Sequence, residues 1–402
     1  MQRVYVTGVG IVSAIGIGIA GNRTALQQMH SGIGRSKYLH SKLTDRLPVA
    51  EVKESTAELA ARYGETGDLF PNRLNLMAAI ALREAIANIP ILQQKNSFGF
   101  INATSVAGMF DAEGHYADLV NPTVTDPGLI RFGNTLDCGS GTLDLARHFK
   151  LTHFTGTIST ACSSSANALI FASRLIRSGV LDGVVCGGVD TLSRFTLNGF
   201  NSLKNIDENP CRPFDADRNG LNLGEGAAYL VLESGESIRR TGSTPLAELT
   251  GSCNFNEAFH PTAPSPEGEG AFRAMKGAIE AGGITPEDIS YINAHGTATI
   301  NNDQAEAFAI HRIFGDHVPP FSSTKSYTGH TLAASGAIEA VYAILNLKYQ
   351  ELYPVLNFRS AMPELNLQPI TSVIRDLPVN HILSNSFGFG GNNASLLFSR
   401  YD

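Results

Sequence analysis

The fold can be predicted outward from one stretch, Thr155-Gly-Thr-Ile-Ser-Thr-Ala-Cys-Ser-Ser-Ser-Ala-Asn-Ala-Leu-Ile-Phe-Ala-Ser-Arg-Leu-Ile-Arg-Ser-Gly179. Residues 153–159 alternate β-branched and small side chains, which is typical of a buried strand. From Ser164 onward, apolar residues recur at the spacing of one helical face, and Gly179 supplies a C-terminal stop. The predicted path is a strand, a sharp turn and a helix, with Cys162 at the turn.

This predicted position favours a reactive thiol at Cys162. The first backbone N–H groups of a helix have no intrahelical partners, and the helix dipole favours an anion there. Such a place lowers the pKa of a thiol from about 8.5 towards neutrality. The alternative is a small, buried and unreactive cysteine, which is common in globular proteins. The two interpretations are separated by residues further along the chain.

Composition indicates a globular α/β enzyme. The chain has 402 residues, 43% of them hydrophobic, enough for one large or two moderate cores. Its net charge of -7 argues against general affinity for nucleic acid or anionic membranes. The five cysteines lack CxxC spacing, and an odd number fits a reducing cytoplasm better than a disulfide framework. Neither a signal peptide pattern nor an apolar run of about 18 residues is present, so we expect a cytoplasmic protein without a membrane segment.

Strands and helices are predicted along most of the chain. Strands are expected at residues 3–12, 98–103, 183–187 and 224–233, and helices at 22–30, 54–63 and 75–88. Two further segments, 111–142 and 193–223, show neither the helical nor the strand periodicity of apolar residues. They are predicted as irregular excursions that shape a site or an interface.

An internal repeat is indicated by the motif Ile-Asn-Ala, which occurs at residues 101–103 and again at 292–294. Each copy lies in a predicted strand, and the elements that follow come in the same order, around Cys162 in the first half and across residues 321–347 in the second. The prediction is therefore two similar α/β halves, residues 1–242 and 243–402, with a site at their junction.

Reactive side chains follow three predicted strand ends in the second half, namely Asn293-Ala-His295-Gly-Thr-Ala-Thr299, Ser323-Thr-Lys325-Ser-Tyr-Thr-Gly-His330 and Asn385-Ser-Phe-Gly-Phe-Gly-Gly-Asn-Asn393. Taken singly, a histidine at a strand end is usually structural and a lysine usually solvated. One nucleophile with two histidines and a lysine, all at turns after apolar strands, is typical of an α/β active site.

Six motifs together resemble the signatures of the β-ketoacyl-acyl carrier protein synthases, the elongating condensing enzymes of the thiolase superfamily. They are Thr160-Ala-Cys162-Ser-Ser-Ser, His295-Gly-Thr-Ala-Thr, Lys325-Ser-x-x-Gly-His330-Thr, Arg212-Pro-Phe-Asp, Gly224-Glu-Gly-Ala and Asn385-Ser-Phe-Gly-Phe-Gly-Gly-x-Asn. The match runs in the family's order from residue 3 to the C-terminus. The resemblance implies a thiolase-like fold, in which two duplicated α-β-α halves form five layers, α-β-α-β-α.

The resemblance also implies a reaction, in fatty acid or related polyketide or polyene biosynthesis. Cys162 would take an acyl chain from a carrier-protein thioester, and a malonyl thioester would lose CO₂ and attack it. His295 and His330 would stabilise the enolate through their Nε2 atoms. The backbone N–H groups of Cys162 and Phe389 resemble the family's oxyanion pair.

Further residues take expected roles from the same resemblance. Lys325 is similar to the family's active-site lysine, which pairs with a glutamate, here Glu339, and we expect it to orient His330. Thr297 and Thr299 match the threonines that bind the phosphopantetheine arm.

The acyl chain would enter past Phe389, which resembles a gating residue with glycine neighbours. Val106, Met109 and Phe110 are expected to line the acyl pocket at a dimer interface. The resemblance implies no metal and no cofactor of the protein's own, because phosphopantetheine arrives on the carrier protein.

Two macromolecular partners are implied, an acyl carrier protein and a second ketosynthase-like chain in a homodimer or heterodimer. Arg62, Arg73, Lys204 and Arg212 are candidates for docking an acidic carrier protein, although charges at such positions are more often merely solvated.

Three departures from the family pattern leave the acyl substrate open. Asn392 stands where the family usually has threonine, Asn219-Gly-Leu-Asn-Leu replaces the usual Asp-Gly-Phe-Val, and Ser163-Ser-Ser165 differs from the commonest fatty-acid versions. One alternative function is a non-catalytic, chain-length-type partner subunit, but such subunits typically lose the cysteine or a histidine. A thiolase or starter-unit synthase is disfavoured because those enzymes do not use two histidines.

Overall fold

The computed structural model describes residues 2–64, 67–90, 97–121, 123, 126–363, 365 and 367–401. The strands are β1 (Val4–Ser13), β2 (Gly16–Ile17), β3 (Phe98–Ala103), β4 (Phe154–Ile158), β5 (Gly183–Asp190), β6 (Gly226–Ser234), β7 (Ala247–Asn256), β8 (Tyr291–Asn293), β9 (Phe321–Ser322), β10 (Glu351–Leu352), β11 (Ile374–Arg375), β12 (His381–Gly388) and β13 (Asn392–Ser399). The helices are α1 (Gly18–Gln27), α2 (Thr56–Tyr63), α3 (Arg73–Ile86), α4 (Met109–Gly114), α5 (Tyr116–Leu119), α6 (Pro127–Asn134), α7 (Cys138–His148), α8 (Ser164–Arg177), α9 (Arg194–Ser202), α10 (Gly235–Thr241), α11 (Glu269–Gly282), α12 (Ile300–Phe314), α13 (Lys325–Thr328) and α14 (Ser335–Tyr349).

The predicted duplication is visible in the strand order. The main sheet runs β4-β3-β5-β6-β1-β7-β13-β12-β8-β9, with β2 beside β1. In the first half, β3 is parallel to β4 and β5, and β6 is antiparallel to β5 and β1. In the second half, β8 is parallel to β9 and β12, and β13 is antiparallel to β12 and β7. The repeated Ile-Asn pairs lie on the equivalent strands β3 and β8, so the sequence repeat reflects a repeat in structure.

The two halves meet along one strand edge and around two helices. Tyr5 and Val6 of β1 pair with Glu248 and Ala247 of β7, which joins the half-sheets. The predicted boundary between residues 242 and 243 falls in the connection that precedes β7, and the division into two domains stays a prediction.

Five layers follow from where the apolar residues are buried. The largest core cluster joins α8 and α14 to the facing surfaces of both half-sheets, while separate clusters bury α3 against the first half and α11 with α12 against the second. At the centre, Gly336 of α14 approaches α8 so closely that an added Cβ would lie 2.8 Å from the backbone nitrogen of Ala166. A larger residue would force the central helices apart. The predicted thiolase-like architecture is confirmed.

Both segments predicted as irregular contain helices. Residues 111–142 include parts of α4 and α7 and all of α5 and α6, and residues 193–223 contain α9. These helices are short, and Asp126, Asp137 and Ser193 cap three of them, so the caps and tertiary contacts define helices that apolar periodicity does not reveal. In the described ranges, no helix is both long and apolar enough to cross a bilayer.

Candidate active site

The turn that carries Cys162 has an unusual backbone. Ala161, immediately before it, has a φ of 52°, in the left-handed region that non-glycine residues seldom adopt. Ser164 Oγ accepts a 2.8 Å hydrogen bond from the backbone N–H of Thr160, which closes the turn. Helix α8 begins at Ser164, so Cys162 lies just before its first turn, as predicted.

One cavity of about 280 Å³ brings the predicted chemical groups together. Cys162, His295 and His330 all line it, although they come from three separate segments of the chain. The two imidazole centroids are 5.4 Å apart and the rings are nearly perpendicular, at 85°. All three side chains are at least 95% buried, with exposures of 5%, 2% and 2%. The remaining lining residues include Thr297 and Thr299, whose hydroxyl oxygens lie 2.9 Å apart.

Lys325 contacts His295 rather than His330, which corrects the expected contact. Its Nζ lies 3.2 Å from His295 Nδ1 and donates a 2.6 Å hydrogen bond to the His295 carbonyl oxygen. It also forms a buried ion pair with Glu339, the predicted partner. His330 Nδ1 instead lies 3.0 Å from Ser335 Oγ at the start of α14.

Burial and charge keep both imidazoles neutral. Burial holds the pKa of His295 and of His330 well below the usual value, and the positive charge of Lys325 lowers both further. A neutral imidazole carries one proton, so each ring presents one donor and one acceptor nitrogen.

The expected low pKa at Cys162 is wrong. Burial raises the pKa of its thiol to about 11, although a hydrogen bond from the Phe389 backbone amide and the charge of Lys325 act in the opposite direction. The sequence-based expectation considered the helix terminus alone, whereas Cys162 is 95% buried in the structure. A pKa of about 11 favours the thiol form of Cys162 at neutral pH.

Phe389 closes one wall of the cavity. Its ring stacks on Phe200 of α9, with centroids 5.5 Å apart and planes within 19°. The following residues, Gly390 and Gly391, have φ values of 83° and 80°, which larger residues rarely adopt. The side chain that the sequence predicts as a gate thus lies on a segment whose backbone only glycine accommodates without strain.

The predicted acyl-pocket residues lie outside the lining of this cavity. Val106 and Phe110 pack against an apolar cluster that also contacts Phe200, and Met109, the first residue of α4, is half-buried. The stacked Phe389 and Phe200 rings lie at the cavity wall, and Phe200 contacts both the cavity and the apolar cluster.

Asp190, at the end of β5, anchors the segment before the acyl-pocket residues. Its carboxylate accepts hydrogen bonds from Thr104 Oγ1 at 2.6 Å and from the backbone N–H groups of Ser105 at 3.0 Å and Val106 at 3.2 Å. It also accepts a 2.9 Å hydrogen bond from the backbone N–H of Ala333, just after His330. One buried carboxylate thereby fixes the distance between the two segments.

Glu306 supports the His295 turn and was missed by the sequence reasoning. Its carboxylate accepts hydrogen bonds of 2.8 Å from the backbone N–H groups of both His295 and Gly296, and one of 3.0 Å from Asn385 Nδ2. Burial raises its pKa to about 7. The only sequence signal is an acidic residue among the buried positions of α12.

A partly buried amide network surrounds Asn392, one of the departures from the family pattern. Its Oδ1 accepts hydrogen bonds from Ser163 Oγ at 2.8 Å, Asn167 Nδ2 at 2.7 Å and Asn254 Nδ2 at 2.8 Å. Asn392 follows the Phe389 segment, and Ser163 follows the nucleophile. This amide therefore connects the predicted gate to the nucleophile turn.

The four basic docking candidates divide into two groups. Arg73 is 1% exposed and paired with Glu225, so it does not present its charge to a carrier protein, whereas Arg212 is half-buried and its Nε has no described partner. Lys204 is exposed and lines the cavity, and Arg62 is half-exposed in a pair with Glu54.

Family models match almost all of the chain. Residues 1–237 match the model of the beta-ketoacyl synthase N-terminal domain, and residues 246–359 match that of the C-terminal domain. The chain belongs to the β-ketoacyl synthase family.

Relatives in this family align over the full length. The chain is 36% identical over 426 residues to a 3-oxoacyl-[acyl-carrier-protein] synthase 2 of Rhizobium meliloti (strain 1021), covering 100% of this chain and 99% of that protein. The solved ishigamide ketosynthase/chain length factor superposes with a TM-score of 0.90 at 28% identity, covering 100% of both chains. A ketosynthase from Xenorhabdus doucetiae, solved in complex with its chain length factor, has a TM-score of 0.84 at 32% identity and covers 100% of this chain and 98% of that one.

Proposed function

We propose that this chain is a β-ketoacyl-acyl carrier protein synthase, which joins a malonyl thioester to an acyl chain held on Cys162. The observation that carries the proposal is that Cys162 and two neutral, buried imidazoles line one cavity. Full-length similarity to a 3-oxoacyl-[acyl-carrier-protein] synthase 2 supports the same reaction class. The non-catalytic alternative is disfavoured because the nucleophile and both histidines are present.

In the first half-reaction, the acyl group moves from the carrier thioester to Cys162. Sulfur attacks the carbonyl carbon, the bond to the pantetheine sulfur breaks, and the proton lost by the Cys162 thiol is balanced by the proton gained by pantetheine. The negative charge on the tetrahedral oxygen would be stabilised by the backbone N–H groups of Cys162 and Phe389. In this structure the backbone N–H of Phe389 already donates a hydrogen bond to the Cys162 sulfur.

In the second half-reaction, the bond between the malonyl carboxylate and the α-carbon breaks and CO₂ leaves. The electron pair of that bond stays on the thioester fragment, which becomes an enolate. Hydrogen bonds from the Nε2–H groups of His295 and His330 to the thioester oxygen would stabilise this charge. The enolate carbon attacks the Cys162 thioester, the new carbon–carbon bond forms, and the bond to sulfur breaks. The Cys162 thiolate that leaves regains a proton from the solvent. Lys325 would fix the proton of His295 on Nε2 by occupying Nδ1.

The substrate arm would reach this centre through the polar side of the cavity. Thr297 and Thr299 line that side and present hydroxyl groups of the kind that bind the amides of a phosphopantetheine arm. Exposed Lys204 at the same cavity offers a positive charge to an acidic carrier protein. The acyl chain would pass Phe389 towards Val106, Met109 and Phe110.

A second ketosynthase-like chain would cover the free edge of β4. In the described part of the chain β4 pairs only with β3, and it has no charged residue along Phe154–Ile158. Helix α7 packs against β4 and exposes Leu143, and the preceding segment between residues 116 and 136 exposes four more large apolar side chains, Tyr116, Val120, Ile130 and Leu136. An unpaired edge beside apolar side chains is suited to association with a homologous chain, identical or not. Native mass spectrometry should then detect a dimer of this chain, either with itself or with a homologous subunit. This assembly would be contradicted if the chain stayed monomeric both by itself and after mixing with homologous subunits.

The reaction is tested by intact-mass spectrometry. The protein is incubated with saturated, unsaturated and aryl-capped acyl carrier protein thioesters and then with malonyl-carrier protein. We expect one class to add its acyl mass at Cys162 and malonyl-carrier protein to discharge it. Absence of an adduct with every donor would contradict the proposal, and Cys162→Ala is the matched control.

A further inference from the structure

We propose that Ser335 is a positioning residue that fixes the proton of His330 on Nε2, the nitrogen that would face the substrate. The inference rests on the proposed function for its catalytic consequence. Its structural basis is the 3.0 Å separation between Ser335 Oγ and His330 Nδ1. Both side chains are 2% exposed, so water does not compete for this contact.

The direction of the hydrogen bond follows from a count of donors. Thr331 Oγ1 lies 3.1 Å from Ser335 Oγ, so the three groups form a chain from Thr331 through Ser335 to His330. If Nδ1–H donated to Ser335, the Ser335 hydroxyl would donate to Thr331. The Thr331 hydroxyl proton would then have no acceptor among the residues that the structure describes, and an unpaired buried donor is costly.

The opposite direction uses every donor. Thr331 donates to Ser335, and Ser335 donates to His330 Nδ1, which leaves only an oxygen lone pair on Thr331 without a partner. Nδ1 must then be an acceptor, and the proton of the neutral ring lies on Nε2. The backbone of His330 is also held, because its N–H donates a 2.7 Å hydrogen bond to the Asn222 carbonyl oxygen.

The two histidines thereby reach the same protonation pattern by different means. His295 Nδ1 is held by the charged amine of Lys325, which is neutralised by Glu339, whereas His330 Nδ1 is held by a neutral hydroxyl. A second lysine beside His330 would place another buried charge near the first, at a high cost in desolvation. A serine at the first position of α14 supplies the donor without that cost.

The first test compares the two half-reactions in Ser335→Ala. Malonyl decarboxylation should fall about tenfold, the effect of losing one buried hydrogen bond to a group that stabilises charge. Acylation of Cys162 should be unchanged, because the acyl oxyanion would be bound by backbone amides. Equal loss of both half-reactions would overturn the proposal, since it would indicate a general structural defect.

The second test is independent of activity and uses the full-length protein with ¹⁵N-labelled histidine. In the wild type, Nδ1 of His330 should have the shift of an unprotonated nitrogen that accepts a hydrogen bond, and in Ser335→Ala this shift should move downfield. His330→Asn identifies the signal by its loss. A protonated Nδ1 in the wild type, or an unchanged shift in Ser335→Ala, would overturn the assignment of Ser335.

Matched variants separate positioning from stability. Ser165→Ala removes another buried hydroxyl, which lies on α8 and accepts a 2.9 Å hydrogen bond from the Ala337 backbone N–H of α14, and should leave the His330 signal in place. Ser335→Thr retains the hydroxyl and should restore decarboxylation. If the wild type does not decarboxylate malonyl-carrier protein, the proposed function fails, while the nitrogen shifts still decide the role of Ser335.

Discussion

Lys325 Nζ lies 3.2 Å from His295 Nδ1 and donates a 2.6 Å hydrogen bond to the carbonyl oxygen of the same residue. This lysine therefore fixes both the ring and the backbone of one histidine, and its charge also lowers the pKa of both imidazoles. Because the ammonium group is buried, its charge is compensated within the protein, by the carboxylate of Glu339.

Lys325→Met should impair both the folded state and the chemistry. Glu339 would remain buried without a positive partner, which costs about 3 to 5 kcal/mol when one member of a buried ion pair is removed. The pKa of His295 should rise, because a neighbouring positive charge is lost. Thermal unfolding and the pH dependence of malonyl decarboxylation measure the two effects. The double variant Lys325→Met/Glu339→Gln should recover stability but not decarboxylation, and recovery of both would contradict a role for Lys325 at His295.

The alkylation rate of Cys162 should increase steeply with pH. With a thiol pKa of about 11, the thiolate fraction grows about tenfold per unit between pH 7 and 10. Iodoacetamide labelling, followed on the peptide that contains Cys162, measures this dependence without interference from the half-buried Cys138 and Cys253. A rate that is already level at neutral pH would show that the helix terminus outweighs burial.

Two variants should each lose one half-reaction and keep the other. Cys162→Ala should abolish acyl transfer and retain malonyl decarboxylation, since both imidazoles remain. His295→Ala should abolish decarboxylation and leave self-acylation of Cys162. Intact mass reports acylation, and CO₂ release reports decarboxylation. Normal condensation by Cys162→Ala, or survival of both half-reactions in His295→Ala, would be incompatible with the assigned roles.

Asn392→Leu should destabilise the protein by about 2 kcal/mol, because donors on Ser163, Asn167 and Asn254 lose their common acceptor. Acylation of Cys162 should also slow, since the network connects the Phe389 segment to the nucleophile turn. Chemical denaturation and the acylation rate measure the two changes. Asn392→Asp keeps an oxygen acceptor and serves as the control. Slow acylation in the aspartate variant but not in the leucine variant would contradict the explanation.

Several strands and helices, such as β3 and α3, could be predicted because their apolar residues repeat along the chain, whereas the sequence analysis did not predict α11 and α12. Helix α8 is an example, since one apolar face and a final glycine define it before any tertiary contact is known. Short helices such as α5 and α6 carry no such repeat and depend on caps and on neighbouring segments. For the same reason the sequence predicted an irregular excursion there.

The candidate reactive residues could also be predicted, together with the pairing of Lys325 with Glu339, but other supporting residues could not. Cys162, His295 and His330 lie in recognisable motifs that follow strands of the sheet, His330 after the short helix α13. Glu306 and Ser335 carry no motif, since each acts through a contact that exists only after two segments pack together.

The sequence by itself determined the repeated α/β architecture through periodicity and a repeated motif, and it indicated Cys162, His295 and His330 as the candidate site through motifs that resemble those of the family. Only the tertiary structure decided that Lys325 contacts His295, that the pKa of Cys162 is raised, and that Ser335 contacts His330. Burial and hydrogen-bond partners depend on which distant segments come into contact, and burial by those segments raises the pKa of Cys162.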